Sequence, residues 1–204
     1  MKTAYKRISI QVLFLGIFLS FSSCNKEPIS LEPKKPLPLN TFAMEVNGQG
    51  WQPGQIGKDE CMRTYYGAWS LLDYPFFNIV AYRDPQGLTG ARSENALQIQ
   101  IVNVTGLGKY ELTGSYLESF KSHVLFTVKK PDGSYVRYIN KRNLASFSVV
   151  FEEFISVPKT DIKGVKGIFS GTLYNDVDPL DSITITQGNF MFNRPNRYSF
   201  DQCD

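Results

Sequence analysis

The stretch ALQIQIVNV, residues 96–104, alternates with Leu97, Ile99 and Ile101 on one side and Gln98 and Gln100 on the other. A period of two belongs to a strand with one face buried and one wet; a helix would repeat every 3.6 residues. The same rhythm extends outward from it. Upstream, TFAMEV (41–46) places Phe42, Met44 and Val46 on one face and runs into Asn47-Gly48, a pair tolerant of positive φ and the strongest short hairpin signal. FFNIVAYR (76–83) ends in the turn residues Asp84-Pro85-Gln86-Gly87. Downstream, HVLFTVKK (123–130) and YVRYIN (135–140) flank Pro131-Asp132-Gly133-Ser134, a hairpin loop led by proline. SFSVVFEEFI (146–155), GIFSGTLY (167–174) and SITITQGNFMF (182–192) complete the set. Past the first forty residues no stretch keeps a helical period for three turns.

About nine or ten strands joined by short turns predict an all-β fold, an antiparallel meander that forms a β-sandwich or a filled β-barrel. One domain spans residues 41–204. The apolar runs at 76–82 and 149–155 suggest strands covered on both faces. Gly171 and Gly188 interrupt good strands and predict bulges or close backbone approaches.

The N-terminus follows a different logic. Lys2, Lys6 and Arg7 precede an apolar run from Val12 to Phe21, the layout of a secretory signal over residues 1–23. The run is too short to span a bilayer, which takes about 20 apolar residues. FSSC (21–24) resembles the lipobox of bacterial lipoproteins, with Phe21 in place of the more usual leucine. The resemblance implies diacylglycerol on Cys24, cleavage before it, and a fatty acyl chain such as palmitate on the new amino terminus; the lipid bilayer is then a partner through those chains. NKE (25–27) resembles in part the signal that exports Bacteroidota lipoproteins to the cell surface. An outer-membrane lipoprotein with surface exposure is the expected location. Residues 24–40 hold Pro28, Pro33, Pro36 and Pro38 and read as an extended tether of about 50 Å at roughly 3.1 Å per residue.

Charge excludes one class of partner. The chain holds 22 basic and 19 acidic residues, and residues 1–23 contribute three bases and no acid. The remainder is balanced at 19 against 19, so no nucleic acid is expected, which would need a net basic patch. With Cys24 lipidated in an oxidising compartment, Cys61 and Cys203 form an even pair expected to be a disulfide. Closing so long a loop is worth about 5 kcal/mol in the chain-entropy model. The alternatives are two buried thiols, or a Cys203 left unpaired in the tail.

FAMEVNGQGWQP, GLGKYEL, GIFSGTLYN and SITITQGNF together resemble a group of uncharacterised Bacteroidota envelope lipoproteins, in which an NG..W strand opens the fold and a glycine-bearing hairpin closes it. The resemblance implies an all-β envelope domain and transfers no catalytic residue. The residues themselves offer little chemistry. His123 is the single histidine, no Gly-x-Ser-x-Gly elbow is present, and Glu152 and Glu153 point to opposite faces of a strand unless a bulge intervenes. No enzyme activity, cofactor or metal site is expected. Asn175, Asp176, Asp178 and Asp181 share one loop and offer oxygen ligands to a hard cation, but the same residues make turns. The densest unusual feature is YYGAWSLLDYPFF (65–77). Its Tyr65, Tyr66, Trp69 and Tyr74 are candidates either for the core or for an aromatic-lined site that takes a small ligand or glycan. The expected function is a membrane-anchored binding lipoprotein; the alternative is a structural or interaction module of the envelope without a pocket.

Overall fold

The alternating stretches form strands. The computed structural model describes residues 40–56, 64–65, 67–71, 76–84, 95–118, 120–156 and 163–193. In chain order these run through β1 (Thr41–Val46), β2 (Gln49–Trp51), β3 (Gln55–Ile56), β4 (Thr64–Tyr65), β5 (Gly67–Leu71), β6 (Phe76–Tyr82) and β7 (Asn95–Val102). They continue with β8 (Gly108–Glu111), β9 (His123–Lys129), β10 (Tyr135–Ile139), β11 (Phe147–Ser156), β12 (Lys163–Asn175) and β13 (Ser182–Phe192). The fold is all-β and antiparallel, and no helix occurs among the described residues.

Eleven strands share one sheet, with β3 and β4 paired separately. The path runs β2-β1-β13-β12-β10-β9-β7-β6-β5, and β12 also carries a second branch through β11 to β8. The fork lies along β12. Its residues from Lys163 to Gly171 pair with β11, and Tyr174 and Asn175 pair with β10. A bulge between Phe169 and Gly171 in the β12–β13 pairing, with Gly171 at φ +152, marks the bend. Beyond the fork the sheet curls, so that β5 comes back against β12. Asn140, just past β10, ties the branches: its side chain receives the Val124 amide at 2.9 Å and donates to the Leu112 and Gly114 carbonyls at 2.9 and 2.8 Å.

Curling brings inward faces together as a core. Ile79, Leu97, Ile99, Ile101 and Val124 on one side meet Val149, Phe151, Val165, Ile185 and Phe190 on the other. A stacked row of rings crosses it: Phe42 on Phe169 at 5.3 Å, Phe190 on Phe192 at 5.4 Å, and Phe192 on Trp69 at 5.0 Å. Each large apolar side chain buried this way contributes about 1.5–3 kcal/mol. The runs at 76–82 and 149–155 differ from the two-sided covering expected of them. β6 alternates between buried and half-buried positions, and β11 becomes exposed after Phe151. A bulge between Phe151 and Glu153 resets that register, and both Glu152 and Glu153 face water.

Candidate functional site

One end of the curled sheet is open. The Asn47–Gly48 turn, with φ of +50 and +75, folds β2 back on β1, and its position is fixed from β13. Asn47 donates its backbone amide to the Thr184 carbonyl at 2.9 Å and receives the Thr184 amide on Oδ1 at 2.8 Å. Beyond β2 the chain crosses toward β6, where the Gly54 amide meets the Tyr82 carbonyl at 3.1 Å. Between this hairpin and the ends of β6, β7, β9 and β10 lies a hollow of about 360 Å³.

Its apolar lining comes from Val46, Trp51, Phe126, Val128 and Ile183, where the core reaches the surface. Trp51 alternates inward on β2 and meets Phe42 and Phe126 edge to face, at 6.0 and 5.8 Å. It is 4% exposed, and its indole Nε1 has no hydrogen-bond partner among the described residues. A buried donor left unmade costs about 1–3 kcal/mol. The polar lining includes Asn47, Arg83, Asn95 and Tyr138. Arg83 is exposed and makes no ion pair among the described residues. Tyr138 donates its hydroxyl to Asp181 at 3.1 Å, and Asn175 donates to the same carboxylate at 2.9 Å. Burial, and next the hydrogen bond to the Asp181 carboxylate, push the phenol above its ordinary 10.0, so it stays protonated and acts as a donor. An apolar floor with a cation and amides at its rim suits a small molecule with an apolar body and a polar or anionic head.

A family model described as a domain of unknown function, DUF5025, matches residues 39–193. The chain belongs to this family. No curated protein and no solved structure matches it. The DUF5025 match therefore begins just before β1 and ends just after β13.

Within the DUF5025 domain the aromatic stretch is dispersed. Trp69 is 6% exposed and stacked on Phe192 in the core. Tyr65 closes β4, paired with Gln55. Tyr66 and Tyr74 lie outside the described residues, as do Cys24, Cys61 and Cys203. The tryptophan at the opening is Trp51, and its sequence signal was the hairpin that precedes it: after Asn47-Gly48, a three-residue strand turns its last side chain inward.

The aspartate-rich loop is a turn held by its own side chains. Asp176 receives Arg137 Nε at 2.8 Å, Asp178 receives the Leu180 amide at 3.0 Å, and Asp181 is taken by Tyr138 and Asn175. No group of three or more His, Cys, Asp or Glu side chains among the described residues is placed to hold a metal. His123 is 5% exposed on the outer face of β9, with Nδ1 at 2.9 Å from the Lys121 carbonyl.

Proposed function

We propose that this chain is a membrane-anchored envelope lipoprotein of the Bacteroidota type, and that its DUF5025 domain captures a small amphipathic ligand in the hollow beside Trp51. FSSC at 21–24 supports the anchor and Cys24 as its lipid carrier. The hollow itself carries the binding reading: the buried rings of Trp51 and Phe126 form its floor, under a rim that includes an arginine with no ion pair among the described residues. Asn40, just before β1, receives the Asn193 amide at 3.0 Å at the opposite end of β1 and β13 from the Asn47 turn.

The test uses 1-anilinonaphthalene-8-sulfonate, a flat apolar body with one anionic head. The folded protein is expected to bind it in one-to-one stoichiometry, with energy transfer from tryptophan that falls more in Trp51→Phe than in Trp69→Phe. Arg83→Ala is expected to weaken binding about tenfold, equivalent to 1.4 kcal/mol. Absence of binding to the native state, or binding indifferent to Trp51→Phe and Arg83→Ala, overturns the site. Intact-mass measurement of protein from its native host, showing Cys24 unmodified, overturns the anchor.

A second reading, an interaction module, is favoured by the β12–β13 loop, which holds Val177 84% and Leu180 94% exposed. Under that reading a Val177→Ser/Leu180→Ser double variant abolishes any self-association seen by light scattering and leaves sulfonate binding unchanged.

A further inference from the structure

The segment between β8 and β9 holds an aromatic ring where its own backbone disfavours one. Phe120 is 81% exposed and has φ +57, the left-handed region that a bulky L-residue enters only under constraint. The constraint is visible on both sides. Gly114 donates to the Ser122 carbonyl at 2.9 Å and Asn140 holds the Gly114 carbonyl. Ser115 donates its amide to Glu118 Oε2 at 3.1 Å, Ser122 Oγ receives the Val102 amide at 3.1 Å, and Gln100 Nε2 donates to the Lys121 carbonyl at 3.1 Å. Strain maintained by so many bonds, on a side chain that packs on little of its own chain, points outward to a contact.

Under this segment runs a groove of about 350 Å³ on the outer face of β7 and β9. We propose that it binds a neutral, gluco-configured oligosaccharide, with the Phe120 ring stacked on one sugar face. The polar lining comes from Gln98 and Gln100 of β7, His123 of β9, and Tyr116 and Glu118 of the segment above, and Phe120, Phe76, Leu117 and Leu125 supply the apolar part. Glutamine amides both donate and accept, as a row of hydroxyls requires. His123 has Nδ1 within bonding distance of a carbonyl, so that nitrogen carries the hydrogen and Nε2 is left as an acceptor. Burial lowers its pKa below the ordinary 6.5 and keeps the ring neutral at physiological pH. The Glu118 carboxylate in the wall disfavours anionic sugars. A gluco-configured pyranose carries its hydroxyls equatorially, which frees a flat C–H face for an aromatic ring while the rim hydroxyls reach amides. Because Gln98 and Gln100 alternate outward from the core residues Leu97, Ile99 and Ile101, this groove is a separate site from the hollow beside Trp51 and does not depend on it.

Isothermal titration of the full-length protein in detergent, with cellohexaose and with laminarihexaose as probes, decides the matter. At least one is expected to bind with Kd below about 1 mM, and hexagalacturonate is expected not to. Phe120→Gly is expected to weaken the glucan at least about tenfold without lowering the urea midpoint, since glycine accepts the same φ. Arg83→Ala is expected to leave glucan binding unchanged. Failure of both glucans to bind, preference for hexagalacturonate, or wild-type affinity in Phe120→Gly overturns the proposal, and none of these results bears on sulfonate binding near Trp51.

Discussion

Asn140 does more here than any apolar neighbour, because its amide satisfies three backbone groups at once, on β9 and on the segment that follows β8. Asn140→Ala strands the Val124 amide and the Leu112 and Gly114 carbonyls in a site 6% exposed. At about 1–3 kcal/mol for a buried group left unmade, a loss of at least about 3 kcal/mol in urea unfolding is expected. Asn140→Asp is expected to be worse than a near-isosteric change suggests, since a carboxylate offers the two carbonyls no donor. His123 adds a pH dependence of definite sign. Its pKa is lowered by burial, so the unfolded chain takes up the proton first as pH falls. Stability is then full above about 6.5 and declines below it through the folded value. Urea midpoints measured between pH 7.5 and 5 are expected to fall less steeply in His123→Asn, whose amide can still donate to Lys121. At Phe120 the left-handed backbone costs on the order of 1 kcal/mol, which Phe120→Gly relieves in part while loosening the unfolded chain.

Among the elements, β12 and β13 set the bend by what they lack. A Cβ on Gly188 would run into the Phe169 carbonyl and ring, so the two strands approach closely only with glycine there. Gly188→Ala is expected to destabilise by about 1–3 kcal/mol. Gly50, in β2, is the control: a Cβ there meets nothing within 4 Å, and Gly50→Ala is expected to be neutral or mildly stabilising, by up to about 1 kcal/mol. Thermal unfolding of the two variants side by side checks the contrast. Gly171 and Gly188 in the closing hairpin were readable from the sequence, since a residue without a side chain inside an alternating strand has few other uses; Gly167, where a Cβ would meet the Val150 carbonyl, was not, because it stood at the start of the apolar stretch. The Asn47-Gly48 turn was equally legible. The segment over His123 was not: its residues show no period, and its shape comes from bonds to β7 and to Asn140 that are distant in sequence.

For the whole molecule, alternation was enough to give an antiparallel all-β body, because a period of two survives whatever the strands pair with. It could not give the fork, since neither branch of β12 differs from the other in pattern. Nor could it say which tryptophan sits at the opening. Trp51 and Trp69 are both inward-facing on short strands, and only the curl decides that one meets Phe192 in the middle while the other meets Phe126 at the end.

The joining of Asn40 to Asn193 has a mechanical consequence. β1 is gripped along its length by β13 on one side and over its last three residues by β2 on the other, and it enters the body at the end remote from the hollow. A pull between Asn40 and Ser182, at the other end of the β1–β13 pair, runs along the strands and strains their cross-links together, in shear. A tug between Asn40 and Asn193 peels them one after another. Single-molecule pulling with handles at Ser182 and Asn40 is expected to meet a higher rupture force than with handles at Asn193 and Asn40. A body built this way holds hardest along the line of its first strand and yields most easily where that strand is lifted from its end.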